Sequence, residues 1–186
     1  MKFLVLIMVG MMLVGCGKED DGNTGVVKPN PSATDTPKPV TEAEFEQTKA
    51  KAEAGDAEGQ FNLGVIYAYD SGKGGDFKEA AKWWRKAAEQ GNAKAQVNLG
   101  NQYNAPMYQA VEQDFEEATK WYRKAAEQGQ SRGQLCLGSM YAEGKGVEQD
   151  FKEALKWYRK AAEQGDAGGQ EVLQSFLKEH PELREE

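Results

Sequence analysis

The chain is poor in the side chains that build metal sites and nucleophilic centres. Its 186 residues include one histidine, His180, and two cysteines, Cys16 and Cys136. That scarcity argues against a protein-built zinc site, a disulfide framework and most histidine-based catalysis. No glycine-rich loop runs into Lys-Ser or Lys-Thr, and no acidic metal-binding loop is present, so neither a metal nor another cofactor is expected. Long apolar runs are missing as well. Only Met1 to Val14 is apolar enough to meet a bilayer, short of the roughly 20 residues of a spanning helix. Basic charge is the minority sign: 23 Lys and Arg against 30 Asp and Glu leave a net charge of −7. Cleavage before Cys16 would remove Lys2 and leave −8, a balance that repels phosphate backbones and speaks against nucleic-acid binding. Alanine, Glu, Lys, Gln and Gly dominate what remains, a mix suited to a helical protein.

The first fifteen residues read as an address. Lys2 forms a short positive region, Phe3 to Val14 an apolar one, and Leu13-Val14-Gly15 sets a small residue before Cys16, as a secretory signal requires. Leu-Val-Gly-Cys also resembles the bacterial lipobox. That resemblance implies diacylglyceryl transfer to the Cys16 thiol, cleavage before it and acylation of the new amine. Several acyl chains anchor firmly, at about 0.8 kcal/mol per buried methylene. The alternative is an ordinary signal peptide with a chance cysteine. Gly17 follows the cysteine where, by family analogy, an aspartate would mark inner-membrane retention. A periplasm-facing site on the outer membrane is therefore the expectation in a host with two membranes. Residues 16–40 then form a tether holding four of the six prolines and few apolar side chains, unable to offset the entropy of folding. Fully extended, the stretch reaches about 80 Å.

From residue 57 the chain repeats itself. Segments 57–92, 93–130 and 131–166 share second halves reading DFKEAAKWWRKAAEQG, DFEEATKWYRKAAEQG and DFKEALKWYRKAAEQG. Their first halves share Gln60/Gln96/Gln134, Leu63/Leu99/Leu137, Gly64/Gly100/Gly138 and Tyr67/Tyr103/Tyr141. A fixed period of this length marks stacked supersecondary units, none able to bury its apolar face alone. Each unit reads as two antiparallel helices. Asp76, Asp114 and Asp150 are N-caps of the second, with Glu79, Glu117 and Glu153 placed for capping boxes. Phe77, Ala80, Ala81, Trp84, Ala87 and Ala88 form its buried stripe, and Gly91, Gly129 and Gly165 supply the C′ position. Gly64 and its equivalents would permit close helix approach. A capping helix opens at Thr41-Glu42-Ala43-Glu44 within 41–56. A fourth first helix begins at Ala167 in 167–186, to be broken at His180-Pro181 and followed by a polar tail.

The phrase A-x-A-Q-x-N-L-G-x-x-Y, completed by G-x-G-V-x-Q-D-F-x-x-A-x-x-W-Y-R-K-A-A-E-Q-G, resembles the Sel-one-like repeat, a relative of the tetratricopeptide repeat. Ala93–Tyr103 and Gly144–Gly165 match it almost letter for letter. The resemblance implies an all-α, right-handed α-solenoid of antiparallel helix pairs with a concave groove. It also implies an adaptor that holds a protein or peptide partner, in bacteria often at the envelope. Two loops depart from the pattern: residues 70–75 of the first repeat and the longer 104–110 of the second.

Residues identical in all copies answer a need common to all copies. Packing between repeats is the reading for Trp83, Trp121 and Trp157, with a ligand-stacking row as the alternative. Arg85-Lys86 and their equivalents read as a solvated face with i,i+4 pairs to Glu89-Gln90, or else as a basic docking stripe. Partner contacts are expected where copies differ and side chains leave the core. On a helical wheel the face opposite Leu63 and Tyr67 holds Glu58, Phe61, Val65 and Tyr69, then Lys94, Val97 and Asn101, then Arg132, Leu135 and Ser139. By tetratricopeptide analogy this face lines the groove. Phe61, Val97 and Leu135 are apolar each time and read as buried between repeats. Glu58, Val65, Tyr69, Lys94, Asn101, Arg132 and Ser139 are the partner-binding candidates, with Met107 and Tyr108 of the longer loop as an adhesive pair or a loop folded onto its own repeat.

Chemistry is hard to find. Cys136 reads as a half-buried filler or a reactive thiol, and His180 as a tail residue without a fixed neighbour. Ser175-Phe176-Leu177-Lys178 spells S-x-x-K without the Ser-Asp-Asn or Lys-Thr-Gly that accompany it in penicillin-recognising enzymes. The expected activity is therefore not enzymatic. A lipid-anchored envelope adaptor is favoured, in its sharper form an immunity protein for a secreted effector. A hydrolase of cell-wall material or β-lactams and a ligand-free spacer are the rivals.

Overall fold

The computed structural model describes residues 40–69, 75–106, 110–165 and 167–185. The leader, Cys16 and the tether, Met107 and Tyr108, and most of the first repeat's loop lie outside them. The described residues are helical throughout, with no strand: α1 (Glu42–Glu53), α2 (Ala57–Tyr69), α3 (Phe77–Glu89), α4 (Ala93–Asn104), α5 (Phe115–Glu127), α6 (Ser131–Glu143), α7 (Phe151–Glu163), α8 (Ala167–Glu179) and a 3-10 turn at Pro181–Glu185. Each helix packs on its neighbours in sequence, and the first helices also touch one another, α4 with α6 and α6 with α8. The outcome is an α-solenoid: a lone second-type helix, three helix pairs and a lone first-type helix.

Local chemistry explains the boundaries. Thr41 and Glu44 form a complete capping box on α1, Glu44 N–H donating to Thr41 Oγ1 at 3.3 Å and Thr41 N–H to Glu44 Oε2 at 2.9 Å. Asp76, Asp114 and Asp150 accept from the backbone of Glu79, Glu117 and Glu153, as expected. The reciprocal half of those boxes is replaced: each glutamate instead holds the lysine one turn ahead, Lys82, Lys120 or Lys156. Gly55, Gly91, Gly129 and Gly165 end α1, α3, α5 and α7 with φ between 78° and 93°.

The helices of one repeat meet at a glycine. A Cβ on Gly64, Gly100 or Gly138 would stand 2.6, 2.6 or 2.5 Å from the ring of Trp84, Tyr122 or Tyr158, so the absent side chain is the socket for the aromatic ring. A glutamine ladder ties the repeats together. Gln60, Gln96 and Gln134 donate to the carbonyls of Ala52, Ala88 and Ala126 on the preceding second helix. Their own Oε1 atoms accept from Gln90, Gln128 and Gln164 on the following one. Buried amides are tolerated there because both ends are satisfied.

Trp121 and Trp157 each complete the apolar cluster of the preceding repeat, and Trp83 packs against the cluster beneath α1. Lys86, Lys124 and Lys160 lie over these indoles at 3.8, 4.1 and 4.2 Å from the ring centroid. The expected i,i+4 pairing of this basic face is not what forms. Arg85 and Arg123 reach into the next repeat, bonding the Tyr103 and Tyr141 hydroxyls at 2.5 and 2.8 Å.

The C-terminus differs from expectation. The tail folds back: Leu183 is buried against Phe176, and Arg184 Nε donates to the Leu177 carbonyl at 3.1 Å. His180 has fixed neighbours, its ring lying 4.2 and 4.6 Å from those of Phe151 and Phe176 and its Nδ1 3.4 Å from Glu182 Oε1. A single leucine among charges gives no periodicity, which is why the sequence reads as a polar tail.

Candidate functional site

The first helices α2, α4, α6 and α8 lie side by side, and their side chains away from the second helices make the inner face of the array. Phe61, Val97 and Leu135 are buried there at 1, 2 and 5% exposure, serving packing between repeats. The row at 58, 94 and 132 stands in the first turns. Lys94 Nζ lies 3.9 Å from Glu58 Oε1, so these two candidates face each other, and Asn92 Nδ2 donates to Glu58 Oε2 at 2.9 Å. Arg132 is half-buried, its Nε occluded and without an acceptor.

The row at 65, 101 and 139 has a structural partner. Tyr122 donates its hydroxyl to Asn101 Oδ1 at 2.8 Å, and Ser139 Oγ lies 3.2 Å from the Tyr158 hydroxyl. Val65 packs instead against the cluster that holds Trp84, whose indole N–H has no acceptor. The variation along this row therefore follows the change from Trp to Tyr on the second helix. All three residues stay half-exposed at the inner face.

Tyr69 closes α2 and is the one large apolar side chain left exposed among the described residues, at 42%. Its ring stands edge-on to Phe77 at 5.8 Å. Partial burial pushes the Tyr69 phenol up from its ordinary range, and the Arg132 guanidinium pulls it partway back. Tyr69 of the first repeat and Arg132 of the third are thus within electrostatic reach of each other, which nothing in their spacing announces.

Two inner-helix residues were missed by the wheel. Asn98 and Gln102 on α4 are buried, with Asn98 Nδ2 and Gln102 Oε1 unpaired. At Gln102 the available signal is polarity where the other copies carry Ile66 and Met140; Asn98 gives less, since its equivalents are Asn62 and Cys136. Cys136 is fully buried rather than half-buried, which bears out the filler reading against the reactive one. Ser175 and Lys178 are both exposed on α8. Among the described residues no three His, Cys, Asp or Glu side chains gather to hold a metal, and no helix is long and apolar enough to cross a membrane.

The glycine sockets and the glutamine ladder repeat in register three times, and a family model of the Sel1 repeat matches residues 57–92, 93–130 and 131–166. The chain belongs to the Sel1 repeat family. No curated protein matches it. Among solved structures this Sel1 repeat chain is similar to c5321 of uropathogenic Escherichia coli, a protective antigen displaying an SLR fold, with 44% identity and a TM-score of 0.64 over 68% of this chain. It spans only 27% of that protein's length. A Sel1 repeat protein of Oxalobacter formigenes is 36% identical, with a TM-score of 0.63, covering 71% of this chain and 98% of that one. The fold is also shared with Helicobacter pylori cysteine rich protein B, at 24% identity and a TM-score of 0.54 over 71% of this chain and 93% of that one. Sel1 repeat proteins act in protein–protein interaction and are generally non-enzymatic scaffolds.

Proposed function

We propose that the chain is a lipid-anchored adaptor of a bacterial envelope whose inner face binds a protein or peptide partner. Tyr69 carries the reading: a tyrosine exposed on the first helices, alone among the large apolar side chains of the described residues, is the anchor a partner's pocket would take. Glu58, Val65, Lys94, Asn101, Arg132 and Ser139 lie on the same set of first helices, and Arg132 comes within electrostatic reach of the anchor. Leu13-Val14-Gly15-Cys16 supports lipidation at Cys16, and the proline-bearing tether supports a domain held off the membrane. Gly17 favours the outer membrane, facing the periplasm. No chemistry is assigned, since Ser175, the one residue in a nucleophile motif, stands on an exposed helix face with Lys178.

Two measurements test this. Tagged protein incubated with envelope extract should retain one partner at near-equal stoichiometry, and Tyr69→Ala should release it while the helicity stays unchanged. Capture indifferent to Tyr69→Ala removes the inner-face assignment. A captured secreted toxin would make the adaptor an immunity protein, and an assembly factor would place it in envelope construction. Cys16→Ser should abolish fatty-acid labelling and move the protein to the soluble fraction. Membrane attachment that survives the change removes the anchor.

A further inference from the structure

The inner face carries a charge that nothing among the described residues balances. α4 and α6 open without an acidic side chain in the first turn, and each carries a cation there, Lys94 and Arg132. A cation in the first turn opposes the helix dipole, so each needs a counter-charge. Lys94 has Glu58 at 3.9 Å. Arg132 has no ion pair among the described residues, and its occluded Nε has no acceptor. α4 and α6 pack together, so the equivalent positions 94 and 132 stand about one helix spacing, ~10 Å, apart. An uncompensated, half-buried cation is costly, and a carboxylate on its accessible side offsets the cost.

We propose that Lys94 and Arg132 receive the carboxylate side chains of an acidic, extended segment of the partner. This rests on the inner face being the binding face and names the chemistry it takes. Arginine offers a planar fork that matches a carboxylate. The chain as a whole carries −7, which disfavours a densely charged polyanion and leaves a few carboxylates as the fitting ligand. Two cations ~10 Å apart match acidic residues three positions apart in a polyproline-II chain, which advances ~9 Å in three residues and returns to the same face.

The test uses the full chain and a labelled peptide with two glutamates three positions apart, Pro-Glu-Pro-Pro-Glu-Pro, acetylated and amidated so that only side-chain carboxylates are present. Anisotropy should show saturable binding that weakens with salt and falls about tenfold on Arg132→Gln. Arg159→Gln, which removes the same charge from α7, should leave it unchanged. If Arg132→Gln melts early, Arg132→Lys keeps the charge without the fork and should bind at an intermediate level. Absent binding, or binding that is equal for Arg132→Gln and wild type, or equal for the peptide with both glutamates replaced by glutamine, overturns the proposal. Should that happen while Tyr69→Ala still releases the envelope partner, the acidic chemistry falls and the inner-face reading stands.

Discussion

At the residue scale the decisive contacts are those where a side chain is missing. Gly138 faces the Tyr158 ring so closely that an added Cβ would stand 2.5 Å from it. Gly138→Ala should therefore cost about 1–3 kcal/mol by overpacking, read from urea denaturation. The glycines were legible as sites of close approach, but the ring each one seats was not, because the pairing joins different helices. The same gap misleads at Asn101 and Ser139. Their variation between copies reads as specificity, and only the Tyr122 and Tyr158 hydroxyls reveal that it also satisfies a hydrogen bond. Tyr69 adds a pH-dependent term. Its phenol titrates higher folded than unfolded, so the contribution is complete below about pH 10 and is lost as pH rises through the raised value. Melting of Tyr69→Phe should lack that share of the alkaline decline shown by wild type.

At the element scale the helices follow from caps and periodicity, and their number follows from what stops the array. α8 has the leucine of a first helix at Leu173 but places Gln174 where the other copies have glycine. With a Cβ in the socket, no second helix can seat an aromatic ring there. The end is closed instead by the Pro181–Glu185 turn, which buries Leu183 against Phe176. Removing residues 181–186 should destabilise α8 by about 1.5–3 kcal/mol, seen as faster amide exchange in α8 with α2–α5 unchanged. The proline break was readable from sequence. The returning leucine was not, since one apolar residue in a charged tail carries no pattern.

At the scale of the whole molecule, stability passes from neighbour to neighbour. Gln96 joins three helices, donating to Ala88 on α3 and accepting from Gln128 on α5. Gln96→Leu would strand a buried carbonyl and an amide, at about 1–3 kcal/mol. The loss should fall on the α3–α4 junction, so that exchange protection drops in α1–α3 while α6–α8 hold theirs. Uniform loss along the array would show tighter coupling than the ladder implies. The inner face belongs to this scale as well: Tyr69 and Arg132 are 63 positions apart and meet only because three first helices lie side by side.

The sequence by itself determined the repeat, its two helices, their caps and the residues given to packing. Those depend on periodicity and on backbone chemistry within a few positions, and three copies state them three times. Tertiary structure decided which polar side chains answer each other, how α8 is closed off, and which cation stands without a counter-charge among the described residues. These are distances between helices, set by how the glycine sockets and the glutamine ladder stack one repeat on the next, and one-dimensional spacing does not contain them.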